Sequence, residues 1–280
     1  MRLGLIVGTG ELPEMIARHR RDNGEHVHVV AIRGFEEPWM ADFGHDVCGI
    51  AELGKMLKLL KAQSCDTLAM IGNVKRPDFA SIKADMKGMS VLPRIIGAAR
   101  KGDDALLSLM VDIFEKEGLR VIGVQELLSD ITQPAKVLTN SPISESLAKD
   151  IQRSFEVSGL MGDADIGQGS VVCEGLVLAV EAQEGTDEML RRVSSLPTAI
   201  RGNPKARKGA LVKRPKPNQE RRVDLPTLGV STVRLAGEAG LAAVCGVEHG
   251  ALWVNETEMI EVANELGIAL VSLRANGDLP

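Results

Sequence analysis

Leu3-Gly-Leu-Ile-Val7-Gly8-Thr9-Gly10-Glu11-Leu12-Pro13 is the stretch on which the fold turns: a short apolar run, a glycine-rich turn, then an apolar periodicity. Leu12, Met15, Ile16 and His19 fall on one side of a helix, and Pro13 suits its first turn, where an N–H has no intrahelical partner. Strand, tight turn and helix in this order open a β-α unit. Its turn N–H groups can approach a phosphate at the helix N-terminus. The turn lacks the third glycine of the dinucleotide fingerprint, and Ile32-Arg33-Gly34 stands where an acid would end the second strand. A structural turn and a nucleotide contact therefore both remain open.

Further along, Val27–Ile32 reads as a second buried strand, Leu53–Leu60 as an amphipathic helix and Thr67–Ile71 as a third strand ending at Gly72-Asn73. Asp103–Glu117 carries Leu106, Leu107, Met110, Ile113 and Phe114 on one helical side and leads into a strand at Arg120–Val124. Such β-α alternation predicts a parallel sheet with helices on its faces, a Rossmann-like domain over residues 1–134. Prolines and small polar residues between Ile131 and Pro142 predict a connection, followed by a helix with Ser141 as N-cap and Pro142 first, running to Ser158. Residues 135–162 are thus expected to link the domains. From Asp163 a second α/β domain, 163–280, is predicted. It has strands at Ser170–Cys173 and Leu176–Glu181, a helix at Thr186–Val193, extended chain at Ala210–Val212 and a helix at Thr227–Gly237. It ends on Leu241–Val244, Ala251–Val254, a helix at Glu256–Leu266 and a strand at Ile268–Leu273. With two such domains the expected site is the cleft between them.

Bulk composition narrows the function. The net charge is −5, and with no Tyr, five Phe and two Trp there is neither a global attraction to nucleic acid nor a supply of stacking platforms. Cys48, Cys65, Cys173 and Cys245 are scattered, which argues against a zinc site or a disulfide framework and for a reducing cytoplasm. The N-terminal apolar run is too short for a signal peptide, and no stretch approaches the roughly 18 apolar residues of a membrane span. Any contact with a bilayer is expected to be peripheral.

The chemistry-bearing residues point to phosphate. Between Lys205 and Arg222, eight of eighteen positions are basic (Lys205, Arg207, Lys208, Lys213, Arg214, Lys216, Arg221, Arg222) and one, Glu220, is acidic. Asp224 follows at the edge of that positive field, where a carboxylate stays ionised and can hold a metal or orient water. A solvated loop is the bland alternative. Gly72-Asn73-Val74-Lys75-Arg76 is expected at the carboxyl edge of the first sheet, where open α/β sheets bind ligands. Gly102-Asp103-Asp104 opens a helix, as caps or as ligand contacts. Glu174 lies inside an apolar run, and a mid-sheet carboxylate is costly unless paired, metal-bound or aimed into a cleft. Gly185-Thr186-Asp187 reads as a helix start whose N–H groups suit a phosphate. Five dispersed histidines leave oxygen-ligated Mg2+ more plausible than zinc.

Taken in order, Gly8-Thr-Gly-Glu-Leu-Pro13, Gly72-Asn73-Val74-Lys75-Arg76-Pro77, Arg100-Lys-Gly-Asp-Asp104, Asp165-Ile-Gly-Gln168-Gly-Ser-Val-Val-Cys-Glu174-Gly175, Ala182-Gln-Glu-Gly-Thr-Asp187 and Val223-Asp-Leu-Pro-Thr227 resemble the LpxI family, from residue 1 to about 275. The resemblance implies a Mg2+-dependent UDP-2,3-diacylglucosamine pyrophosphatase of lipid A synthesis in Gram-negative bacteria. Such an enzyme releases UMP and 2,3-diacylglucosamine 1-phosphate (lipid X) and holds the lipid nucleotide between two domains. The family's essential aspartate falls on Asp224, with Glu174 as a second acidic group on Mg2+, Asp187 as an acidic helper, and Lys213 neutralising phosphate. Substrate contacts are expected from Gly10, Glu11, Leu12, Asn73, Lys75, Arg76, Gly102, Asp103, Asp104, Gln168, Gly185, Thr186 and Thr227. The lipid substrate makes peripheral contact with the inner leaflet an expectation, and a homo-oligomer is compatible with it. There is no Nudix box, and Val74 stands where calcineurin-like phosphoesterases carry His. Two alternatives remain: a Rossmann-type NAD(P) or nucleotide-sugar oxidoreductase, and a non-catalytic lipid-nucleotide carrier.

Overall fold

Leu3–Val7 (β1) is buried at every residue, the mark of a parallel strand covered on both faces. The computed structural model describes residues 1–75, 82–217 and 219–280, in two units: Met1–Ser129 with Glu220–Asp224, and Asp130–Gln219 with Leu225–Pro280. In the first unit β1 is followed by α1 (Glu11–Asp22), β2 (Val27–Ile32), β3 (Asp46–Cys48), α2 (Leu53–Ala62) and β4 (Thr67–Ile71). Then come α3 (Met86–Ala99), α4 (Asp103–Lys116), β5 (Arg120–Val121) and α5 (Val124–Leu127). All five strands are parallel in the order β3-β2-β1-β4-β5, with Leu3 opposite both Val27 and Thr67. The chain leaves β1 toward β2 and later returns to its other side at β4. That makes the β1/β4 carboxyl edge the topological switch point, where such sheets open a crevice.

The structure departs from the sequence reading within this unit. Helix α3 is not announced by periodicity, because Gly88, Pro93 and Gly97 interrupt its apolar pattern. Asp85 starts it by accepting a hydrogen bond from the Gly88 amide at 2.8 Å. The strand expected over 120–124 stops at Val121, since Gly123 caps α5 and Val124 is already helical.

The second unit begins with β6 (Lys136–Val137), α6 (Glu145–Asp163), β7 (Gly169–Cys173), β8 (Leu176–Val180), α7 (Gly185–Ser194) and β9 (Ala210–Lys213). It continues through β10 (Thr227–Leu228), α8 (Val230–Glu238), β11 (Ala243–Val247), β12 (Leu252–Trp253), α9 (Glu256–Leu266) and β13 (Ala269–Leu273). Its sheet runs β6-β13-β11-β9-β7-β8, parallel across β13, β11 and β9 and antiparallel at both edges. Strand alternation divides the core. Val171, Leu211, Val244 and Leu270 pack under α7, α8 and α9, while Val212, Cys245 and Val271 pack under α6 through Leu147, Ile151 and Phe155.

Helix α6 therefore covers a face of this sheet and is more than a connector. It starts three residues later than expected: Ser144, not Ser141, is the N-cap, its hydroxyl accepting from the Leu147 amide at 3.2 Å. Leu147 is the first residue of the helix to reach the core, so the apolar stripe and the cap agree on that start. Ser154 and Ser158 on the same stripe bond the buried Ser170, which lets α6 lie close on β7. Thr227, expected in a helix, lies instead in β10 beside β12, and the helix begins at Val230.

The turn between β7 and β8 corrects another expectation. Glu174 and Gly175 both have positive φ (49° and 80°), the geometry of a two-residue hairpin turn, so Glu174 is not a mid-sheet carboxylate. The buried Asp150 of α6 holds this turn, accepting from the Glu174 amide at 2.9 Å and the Gly175 amide at 2.8 Å. Asp150→Ala is expected to cost about 1.5–3 kcal/mol, the worth of hydrogen bonds to a charged acceptor. Thermal denaturation checks this, and an unchanged midpoint would show the turn holds without Asp150.

Candidate functional site

In the first unit the glycine turn and the loop after β4 lock onto each other. The Thr9 amide donates to the Asn73 carbonyl at 3.0 Å and the Asn73 amide donates to the Thr9 carbonyl at 2.8 Å. A methyl group on Gly8 would collide with the Asn73 carbonyl. Gly8 is thus explained by loop packing, leaving Gly10 as the residue that opens α1. Glu11, Asn73 and Lys75 are exposed and Leu12 is half-buried at this edge, whereas Arg76, with Pro77 and Asp78, lies outside the described residues. Helix α4 runs back from this edge before β5, which places its first turn, Gly102-Asp103-Asp104, at the carboxyl side of the sheet. A residue not singled out in the sequence also reaches this edge. Glu37 accepts from the Gly10 amide at 3.4 Å and from Trp39 Nε1 at 3.0 Å. It sets a carboxylate against the positive end of α1. It stands five residues beyond β2, and only the return of the Arg33–Glu37 loop brings it back to the turn.

Asp224 belongs to the first unit by its packing, although the surrounding sequence belongs to the second. Val223 packs against the core that holds Val111 and Phe114, and Arg222 bonds Glu115 of α4 at 2.6 Å. Arg222 also grips Glu220 (Nε to Oε1 2.9 Å, NH2 to Oε2 2.8 Å), which holds the Glu220 carboxyl below its usual range and raises the guanidinium. The Asp224 amide donates to the Glu220 carbonyl at 3.0 Å. Asp224 is half-buried on this short anchored turn.

In the second unit the expected residues gather at the carboxyl end of β9. Lys213 is 4% exposed; its Nζ donates to Thr186 Oγ1 at 2.6 Å and to the Thr227 carbonyl at 3.4 Å. Thr186 opens α7 with Gly185 and Asp187, and its hydroxyl donates to Glu181 at 2.8 Å. Thr227 thus meets the lysine through its backbone, its side chain turning to the Leu225 carbonyl. Gln168 precedes β7 and accepts from Gln219 Nε2 at 3.0 Å. Asp187 and Glu188 occupy the first turn of α7, where acids offset the helix dipole. Gly167 and Gly169 are packing glycines, since a methyl on either would strike Glu181.

Glu174 does not join this group. Gly169 pairs with Lys213 and Val172 with Ala210, so β7 carries Glu174, five residues on, to the opposite end of β9, about 16 Å away at some 3.3 Å per residue. There it is exposed and pairs with Lys208 at 2.8 Å. Glu174→Gln is therefore expected to leave turnover unchanged; a large loss of kcat would restore the residue to the site.

The basic run is likewise distributed by the fold. Arg207 caps the carbonyls of Gly237 and Leu266, Lys208 pairs with Glu174, and Arg214 lies 4.0 Å over the Phe155 ring. Lys216 pairs with Asp165, and Arg222 with Glu220 and Glu115. These residues are thus divided among separate partners, and Lys213 is the member of the run that reaches the cluster around Thr186. The four thiols are raised by burial, Cys173 to about 11, so none supplies a thiolate nucleophile near neutral pH. No group of three or more His, Cys, Asp or Glu suited to a metal occurs among the described residues.

A Rossmann-like unit with a glycine turn at its switch point, followed by a mixed α/β unit that buries a lysine at its strand ends, defines a two-unit α/β protein. Residues 2–131 match the LpxI N-terminal domain and residues 134–271 the LpxI C-terminal domain. The chain is 48% identical over 274 residues, 97% of each chain, to UDP-2,3-diacylglucosamine pyrophosphatase LpxI of Caulobacter vibrioides. The chain belongs to the LpxI family.

Proposed function

We propose that this protein hydrolyses the pyrophosphate bond of UDP-2,3-diacylglucosamine, giving UMP and 2,3-diacylglucosamine 1-phosphate, lipid X. The observation that carries this reading is the 97% coverage by a relative named for that activity, at 48% identity, in a chain that buries Lys213 beside the α7 N-terminus. Phosphoanhydrides resist hydrolysis because their anionic oxygens repel a nucleophile, so the protein must neutralise charge and orient water. Lys213 and the first N–H groups of α7 supply fixed positive charge and donors for the phosphates. Asp224 orients the attacking water and accepts its hydrogen bond. Asp224 and the substrate's own phosphate oxygens would hold Mg2+, whose charge offsets that developing on the pyrophosphate. Gly10 and Asn73 support the nucleotide or glucosamine end at the first sheet's switch point.

No helix among the described residues is long and apolar enough to cross a membrane. The diacylated substrate then draws a cytoplasmic protein to the inner leaflet only peripherally, which co-sedimentation with anionic vesicles tests. The activity itself is tested by incubating the protein with UDP-2,3-diacylglucosamine, with Mg2+ or with EDTA, and following UMP and lipid X by mass spectrometry. Release in Mg2+ is expected. Absence of UMP from the wild type overturns the reading, and tight NADH binding in its place would favour an oxidoreductase.

A further inference from the structure

Lys213 and Glu181 are opposite charges buried side by side, with side chains 6% and 9% exposed. They do not meet directly. Lys213 Nζ is 3.7 Å from Glu181 Oε1, and the Thr186 hydroxyl stands between, accepting from Lys213 at 2.6 Å and donating to Glu181 at 2.8 Å. That double engagement leaves the hydroxyl hydrogen one direction to point. Glu181 is itself fixed: it directly follows β8, its amide donates to the Gly169 carbonyl at 2.8 Å, and its carboxylate lies where Gly169 has no side chain. Its second oxygen, Oε2, is buried without a hydrogen-bond partner among the described residues. A buried unpaired carboxylate oxygen lowers stability, so packing alone does not account for Glu181.

We propose that Glu181 is a positioning residue for phosphate recognition, setting the Lys213 ammonium through the Thr186 hydroxyl; this rests on the reading of Lys213 as a phosphate ligand. An ammonium has three donors. Two are taken by Thr186 Oγ1 and the Thr227 carbonyl, and the third is left for a phosphate oxygen. Glu181 keeps the first of these bonds in register and supplies the counter-charge that a buried ammonium requires. Without it the ammonium swings, and the free donor loses its aim.

The test is a double-mutant cycle read in two ways: kcat and KM for UMP release, and calorimetric affinity for UDP, which needs no turnover. Glu181→Ala is expected to weaken UDP binding and lower kcat/KM about 10- to 100-fold, the loss of one charge-assisted hydrogen bond, with the larger share in KM. Glu181→Gln, which keeps an acceptor for Thr186 and the side-chain volume, is expected to recover much of the loss and to guard against a variant that fails to fold. In a Lys213→Met background the Glu181→Ala change is expected to have no further effect. Equal losses in both backgrounds, or none in the wild-type background, overturn the inference. Absence of UMP from the wild type would instead overturn the hydrolase reading, while the UDP cycle still decides the role of Glu181.

Discussion

Asp224→Ala is expected to lower kcat for UMP release by about 10²- to 10⁴-fold, the range for removal of a group that positions or activates the nucleophile. Cooperative unfolding should persist, because the turn that carries Asp224 is anchored by its neighbours. Val223 sits on the core of the first unit, and Arg222 spans from Glu220 to Glu115. The Asp224 amide bond to the Glu220 carbonyl survives truncation of the side chain. Asp224→Asn separates shape from charge: if a carboxylate is needed for Mg2+ or for water, the amide should be nearly as slow and should lose its response to added Mg2+. Retention of wild-type kcat by either variant overturns the assignment. The anchor has a definite pH window. Glu220 is depressed by Arg222, so its contribution is fully present above the ordinary carboxylate range near pH 4.3 and is lost as pH falls through the lower folded value. Activity lost well above that range would come from another group.

Lys213→Ala carries the second large effect, on stability and on turnover together. Removing one partner of a buried pair strands the other, and Glu181, 9% exposed, would be left without a counter-charge, at about 3–5 kcal/mol. Because kcat/KM should fall for a different reason, loss of positive charge toward phosphate, the two effects can be separated. Combining Lys213→Met with Glu181→Gln removes both charges and keeps most of the volume. Stability should largely return and activity should not. If both return, Lys213 is a structural residue and the phosphate reading of this cluster fails; chemical denaturation and the UMP assay together decide.

The parallel sheet of the first unit was legible because its strands are short apolar runs set between glycine turns and helical periodicities. The same local reading could not see α3, whose glycines and proline break the stripe and which reaches the core only through the partly buried Val91 and Ile95. At the candidate site, Lys213, Thr186 and Thr227 were named from their surroundings in the chain, and the fold does bring them together. Glu181 reads locally as no more than the end of a strand beside the Ala182–Asp187 motif, because its partners Thr186 and Lys213 stand 5 and 32 residues away. Glu174 misled in the opposite sense. An acid between apolar residues looks buried until a hairpin turn is placed there, and positive φ with Asp150 beneath it makes the position an exposed corner.

What the sequence determined by itself is the α/β class, the parallel first sheet and membership of the LpxI family, because hydrophobic period, turn residues and ordered motifs are written locally along the chain. Only the tertiary structure decided that Glu220–Asp224 packs with the first unit while the residues on either side pack with the second, and that a dense basic run disperses into separate ion pairs and caps. Charge in sequence says how many cations are near one another along the chain. Where each of them ends up depends on strand direction, register and long-range burial, and those bury Lys213, bonded to a threonine that in turn bonds a distant glutamate, at the end of β9.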